Sequence, residues 1–319
     1  MRKIIFVITT FITIFIITAC GQTQAIVDAQ PIDEAAEGLH YITVTHRSGT
    51  TDVPVNPQNI IVFDMGVLDS INVLGLINRV IGFPMSSVPE RLAYLNLADF
   101  YDFGTLHEPN FEDIVAHQID LIIISGRARP HFDELSQIAP TIDLGLDIND
   151  MLGTFLENNR YIGQIFEMEH EVDYILNNLT TQIAEISQIA SENSKRALVI
   201  LHNEGQLRAF GSMGRFGIIH DYFGFDVVDA DIEIINHGEL VSSEYIVNQN
   251  PDILFIIDRN YAVGDTALNR EDIENELIQL TVAYQNNNIF YLTSDVWYIS
   301  PGGLQGMQIQ IDDLKQAVN

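Results

Sequence analysis

MLGTFLENNRYIGQIFEMEHEVDYILNNLTTQIAEISQIASEN, residues 151–193, contains no proline and no run that reads as a strand. From Val172 through Ile175, Leu176, Leu179, Ile183 and Ile186 to Ile189, the apolar residues recur at spacings of 3, 1, 3, 4, 3 and 3, which is one stripe of an α-helix. On either side the pattern changes. Short β-branched runs alternate with helical stretches, and Leu121-Ile122-Ile123-Ile124 is apolar without alternation, as in strands covered on both faces of a parallel sheet. Strands are expected at 41–45, 59–63, 80–83, 120–124, 197–201, 253–257 and 289–292. Helices are expected at 65–76, 111–117, 132–138, 216–223, 273–284 and 306–318. The fold class is therefore α/β: two α/β lobes on mostly parallel sheets, residues 40–150 and 194–319, joined by a helical connector at 151–193. Without a Gly-, Pro- or Ser-rich hinge, that connector reads as a rigid strut holding one long interdomain helix.

The two halves echo one another. Glu112-Asp113-Ile114-Val115 leads to Asp120-Leu121-Ile122 and then Gly126-Arg127; Glu244-Tyr245-Ile246-Val247 leads to Asp252-Ile253-Leu254 and then Asp258-Arg259. Counted from the glutamate, Ile, Val, Asp and Arg stand at +2, +3, +8 and +15 in both. Each copy reads as helix, turn, buried strand and an arginine just past the strand's carboxyl end, where open α/β sheets bind ligands. Two lobes facing across a cleft account for the match.

Upstream of the first lobe, Arg2 and Lys3 precede an apolar stretch from Ile4 to Ala19, short for a membrane span of ~20 residues and normal for a secretory leader. It ends in Ile17-Thr18-Ala19-Cys20-Gly21, which resembles a bacterial lipobox, and Cys20 is the chain's single cysteine. The reading is a leader over 1–19, a diacylated Cys20, and a polar, acidic tether over 20–39 that holds the protein at a membrane without a spanning helix.

Composition narrows the function. Lys+Arg total 15 against Asp+Glu 44, a formal charge of −29, which argues against nucleic-acid binding. A lone cysteine excludes a disulfide framework and any multi-cysteine metal site. The nine histidines are scattered, with no pair at helix spacing, which disfavours zinc capture. No nucleophile elbow, HExxH, Walker loop or EF-hand loop occurs, so an enzyme is not indicated. The glycine-rich 211–217 stretch, GSMGRFG, lacks the lysine of a phosphate loop, and a phosphorylated cofactor there is the weak enzymatic alternative.

The basic residues are 12 arginines and only 3 lysines. Arg127 follows a strand, Arg215 sits in the glycine-rich loop, and Arg259 follows a second strand. Three guanidinium groups on loops of two lobes suit a bulky, delocalised oxyanion, because they stay charged and offer directed donors. His237 and Tyr298, also in loop-like contexts, supply an imidazole and a phenolate of the kind that fill open positions on a hard ion such as Fe³⁺.

These stretches resemble the siderophore-binding lipoproteins of bacterial ABC importers, a class III (helical-backbone) periplasmic-binding-protein-like family, particularly those for catecholates of the petrobactin type. The resemblance is carried by GTLHEPNFE (104–112), ISGR (124–127), ELSQIAPT (134–141), GSMGRFGIIHD (211–221), His237-Gly238, Asp258-Arg259-Asn260 and Trp297-Tyr298, in matching order and spacing over nearly all of 40–319. It implies two lobes on one long helix that close little on binding, and no intrinsic cofactor, with ferric iron arriving as the siderophore complex. It implies that Arg127, Arg215 and Arg259 contact the catecholates, that His237 and Tyr298 ligate iron left open by a tetradentate siderophore, and that Glu112 and Glu244 dock on permease arginines. The implied partners are the ferric siderophore, an ABC permease dimer with its cytoplasmic ATPase, and the membrane through the lipid anchor. The chain would act as a monomer on the extracytoplasmic face of a Gram-positive cell. His107, also read as a ligand-binding residue, departs from the family, where lysine is common, and so lacks lysine's fixed positive charge at the cleft mouth. A haem or cobalamin receptor of the same fold is the alternative, though a corrinoid has no need of the arginines with His237 and Tyr298.

Overall fold

Thirteen strands and the helices between them build two sheets and one hairpin in the computed structural model, which describes residues 40–235, 237–264 and 268–318. The leader, Cys20 and the tether lie outside the described residues. Among the described residues no helix is long and apolar enough to cross a membrane.

The chain enters through an antiparallel hairpin, β1 (Tyr41–His46) and β2 (Gly49–Pro54). Thr51 Oγ1 donates to the Thr141 carbonyl at 2.9 Å and ties the hairpin to the first lobe. That lobe holds β3 (Ile60–Val62), β4 (Val80–Phe83), β5 (Tyr101–Asp102), β6 (Leu121–Ile124) and β7 (Thr141–Asp143), all parallel in the order β5-β4-β3-β6-β7. The second lobe holds β8 (Arg196–Asn203), β9 (Gln206–Phe210), β10 (Asp226–Val227), β11 (Glu239–Val241), β12 (Ile253–Asp258) and β13 (Ile289–Tyr291). Its order is β11-β9-β8-β12-β13, with β10 parallel beside the start of β8. Here β8, β12 and β13 run parallel, whereas β9 runs antiparallel to both of its neighbours, β8 and β11. The antiparallel edge arises from a two-residue turn: Glu204 and Gly205 both take positive φ (51° and 77°), the geometry that matches the twist of a tight hairpin.

The echo is repeated in hydrogen bonds. Asp120 accepts from the backbone N–H of Asn59 just before β3, and its own N–H donates to the Asn59 carbonyl, both at 2.9 Å. In the second lobe Asp252 forms the same clasp with Arg196, at 3.0 and 2.9 Å. Each clasp locks the register of two adjacent parallel strands, β3 with β6 and β8 with β12.

The connector is two helices, Met151–Ile165 and Glu169–Asn193, broken where Glu167 takes φ +56°. In the longer one, Val172, Leu176, Leu179, Ile183 and Ile186 are buried as the stripe requires. Ile189 is exposed and Ala190 is buried instead, because 3.6 residues per turn carries the stripe around the axis. The single helix expected at 273–284 is absent. Arg270–Ile273, a 3-10 turn at Ile278–Leu280 and Val282–Gln285 replace it. Asn275 Oδ1 accepts from the N–H groups of Leu277 and Ile278, and Thr281 caps the last piece, so short polar side chains capture the backbone that a helix would use.

The terminal helix, Leu304–Val318, lies against both Glu169–Asn193 and the first-lobe helix Met65–Val73. Leu304 N donates to Ser70 Oγ and Gly306 N to Asp69, at 3.1 and 3.0 Å. One hydrophobic core consequently runs through both lobes, from Val44 and Ile60 through Leu179 to Ile257 and Leu314. Smaller clusters cover the outer face of each sheet.

Candidate functional site

A cleft of about 1090 Å³ opens at the carboxyl ends of the strands, with walls from both lobes. Thr105, His107 and Arg127 come from the first lobe; Arg259, Arg270, Tyr291 and Tyr298 come from the second. Tyr261 of the second lobe donates to Glu90 of the first at 2.8 Å, and both residues line the cleft.

Tyr298 ends the helix Ser294–Tyr298 that follows β13, and the three sequence-predicted arginines converge on it. The guanidinium carbons of Arg215, Arg259 and Arg127 lie 4.0, 5.5 and 6.0 Å from its ring centre. Arg127 from one lobe and Arg215 from the other both donate to its backbone carbonyl at 2.9 Å. Arg259 Nε donates to the phenol oxygen at 2.8 Å, while its Nη1 donates to Asn203 Oδ1 at the end of β8. Asp258, next to it, accepts from the N–H groups of Asn260 and Leu268 and so fixes the turn that presents Arg259.

Arg215 occupies a different position from its two partners. It packs behind Tyr298 and is not among the cleft-lining residues. Burial draws its guanidinium down to about 10, with repulsion from Arg127 and Arg259 adding and the Tyr298 contact opposing; it is still charged at neutral pH. The glycine-rich loop exists to deliver this side chain. Gly214 takes φ +82°, and a Cβ on Gly217 would fall 2.6 Å from the Met213 backbone.

His107 is exposed on the rim of the cleft wall. His237 is exposed on the loop before β11 and is not among the cleft-lining residues, whereas Tyr298 is. Glu112 and Glu244 are exposed, and they are equivalent. Each is the second residue of a helix capped by a side chain, Asn110 for one and Ser242 for the other. The Ser242 hydroxyl holds the Glu244 carboxyl below its usual range.

Two further arginines in the cleft were not singled out in the sequence. Arg91 is paired with Asp69, which is fully buried, and donates to Ser300 Oγ at 2.9 Å. Its Nε also faces Asp295 at 3.5 Å, so its charge is matched internally. Arg270 stacks on Tyr291. Neither follows a buried strand, and that was the signal by which Arg127 and Arg259 stood out.

Residues 60–296 match the periplasmic binding protein family (Peripla_BP_2). The chain belongs to that family. Over 320 residues, covering all of this periplasmic binding protein and 99% of its relative, it is 37% identical to the petrobactin-binding protein YclQ of Bacillus subtilis. Over 279 residues, 86% of each chain, it is 30% identical to the ferric-anguibactin-binding protein FatB of Vibrio anguillarum. The crystal structure of YclQ superposes with a TM-score of 0.85 at 39% identity, covering 88% of this chain and 99% of that one. That of the periplasmic catecholate-siderophore binding protein VctP from Vibrio cholerae gives 0.83 at 31%, covering 87% and 100%. The two-lobed α/β architecture expected from the sequence is the one these binding proteins share.

Proposed function

We propose that this protein is the capture component of an iron importer: it takes a ferric siderophore of the catecholate type into the interlobe cleft and hands it to an ABC permease. It is a receptor without turnover, as its relatives are binding proteins. The observation that carries the reading is the convergence of Arg127, Arg215 and Arg259 on Tyr298. In a chain of charge −29, three guanidinium groups around one ring have little reason to cluster except to receive a multiply negative ligand. The aromatic face among them offers a stacking surface for a catechol ring. With a tetradentate siderophore, the Tyr298 phenol, steadied by Arg259, is the cleft group suited to an open position on Fe³⁺.

Titrating the protein with ferric catecholates, while following emission from its single tryptophan, tests this. Trp297 is buried beside Tyr298, with its indole N–H on Asp313 at 2.9 Å. Saturable quenching by ferric bis- and tris-catecholates, and none by haem or cobalamin, is the expected result. Quenching by haem or cobalamin alone would overturn the reading.

In this reading Cys20 carries the lipid anchor, the 20–39 tether holds the monomer on the outer face of the cytoplasmic membrane, and the permease is a dimer driven by a cytoplasmic ATPase. Glu112 and Glu244, in the same helical position of the two lobes, are its docking contacts. Surface ion pairs contribute little singly, so the double variant Glu112→Gln/Glu244→Gln is the informative one. It should bind ferric siderophore normally and fail to support uptake in cells; normal uptake would exclude the docking role.

A further inference from the structure

The cleft contains a second cation–aromatic pair. Arg270 opens the helix Arg270–Ile273, and its guanidinium carbon lies 4.4 Å from the centre of the Tyr291 ring. Tyr291 is fixed twice, by pairing with Ile256 of β12 and by its hydroxyl, which donates to Glu274 Oε1 at 2.9 Å. Both residues line the same cavity as Arg259 and Tyr298. Unlike Arg91, Arg270 has no carboxylate oxygen within 4.0 Å among the described residues.

Tyr291 and Tyr298 of the cleft are bonded in opposite senses. The Tyr298 oxygen accepts an N–H from Arg259, whereas the Tyr291 hydroxyl donates to a glutamate. Burial and the Glu274 carboxylate push the Tyr291 phenol well above its usual range, so it stays protonated and serves as a platform, not as a metal ligand. A guanidinium stacked on a ring face keeps its in-plane N–H donors at the edge, the arrangement that grips a planar carboxylate through paired hydrogen bonds.

In a ferric tris-catecholate six catechol oxygens fill the coordination sphere of iron, so a carboxylate on the connecting frame stays free. We propose that Arg270 on its Tyr291 platform is a second anion subsite, which takes a free carboxylate on the non-chelating frame of the siderophore and makes the cleft selective for ligands that carry one. This rests on the siderophore reading above.

The test uses two ferric tris-catecholates that differ only in whether a frame carboxylate is free or amidated, each titrated by tryptophan quenching and by equilibrium dialysis of radioiron. The wild-type protein should prefer the free carboxylate by about tenfold, and Arg270→Gln should erase that preference while leaving affinity for the amide within about twofold. Equal wild-type affinity for the two ligands, or an equal loss for both in Arg270→Gln, would overturn the subsite and leave the siderophore reading standing. Binding of neither ligand by the wild-type protein would overturn both.

Discussion

Replacing Arg259 by alanine should weaken ferric-catecholate binding by about 1.5–3 kcal/mol, roughly 10- to 150-fold in Kd. Two losses combine. A cleft cation disappears, and the Tyr298 phenol loses the Nε–H that steadies it. Folding should be unaffected, because the side chain is half-exposed and its partners, Asn203 and Tyr298, are both partly exposed, so water can replace it. Equilibrium dialysis with radioiron measures the affinity, and thermal unfolding of the free protein measures the stability. An unchanged Kd would dissociate the arginine cluster from ligand binding altogether.

The largest loss of stability is expected from Arg91→Leu. Asp69 is completely buried, and in that variant its carboxylate would keep the Gly306 N–H but lose its counter-charge. Removing one partner of a buried ion pair typically costs about 3–5 kcal/mol, whereas removing both at once is often near neutral. Urea unfolding at pH 7 should therefore show Arg91→Leu severely destabilised, and Arg91→Leu/Asp69→Asn restored by a substantial part of that loss. A single variant within about 1 kcal/mol of wild type would mean that the pair contributes nothing beyond the hydrogen bonds around it.

Much of the architecture was legible because its signals are local. The apolar runs of β6 and β12 stand out within a few residues, and the aspartates at +8 of each echo mark the turn before each strand, although the backbone they clasp lies 61 and 56 residues upstream. Arg127 and Arg259 stood out for the same reason, since the end of a buried parallel strand can be read from a dozen residues. The hairpin strand Gly49–Pro54 was not legible. Its face toward solvent leaves GTTDVP without an apolar pattern, and its pairing depends on β1. Arg215 was legible as a loop arginine, yet its place behind Tyr298 depends on two segments 83 residues apart in sequence. The same holds for His237, whose loop context was plain but whose distance from the cleft wall is a tertiary matter. Arg270 and Tyr291 were hidden differently: the pair straddles the stretch read as one helix, and only the capture of its backbone by Asn275 and Thr281 lets the two side chains meet across the cleft wall.

The docking of Leu304–Val318 onto Met65–Val73 has a consequence for the order of synthesis. The first lobe's helix carries Asp69 and Ser70, whose acceptor oxygens are met by N–H groups 237 and 234 residues further along the chain. Domains usually fold as they emerge, amino-terminal first; here the first lobe cannot complete these bonds until Leu304–Val318 has been made. A nascent chain stalled short of Leu304 should therefore remain open to protease in both lobes alike, and removing the helix Leu304–Val318 should loosen the first lobe along with the second.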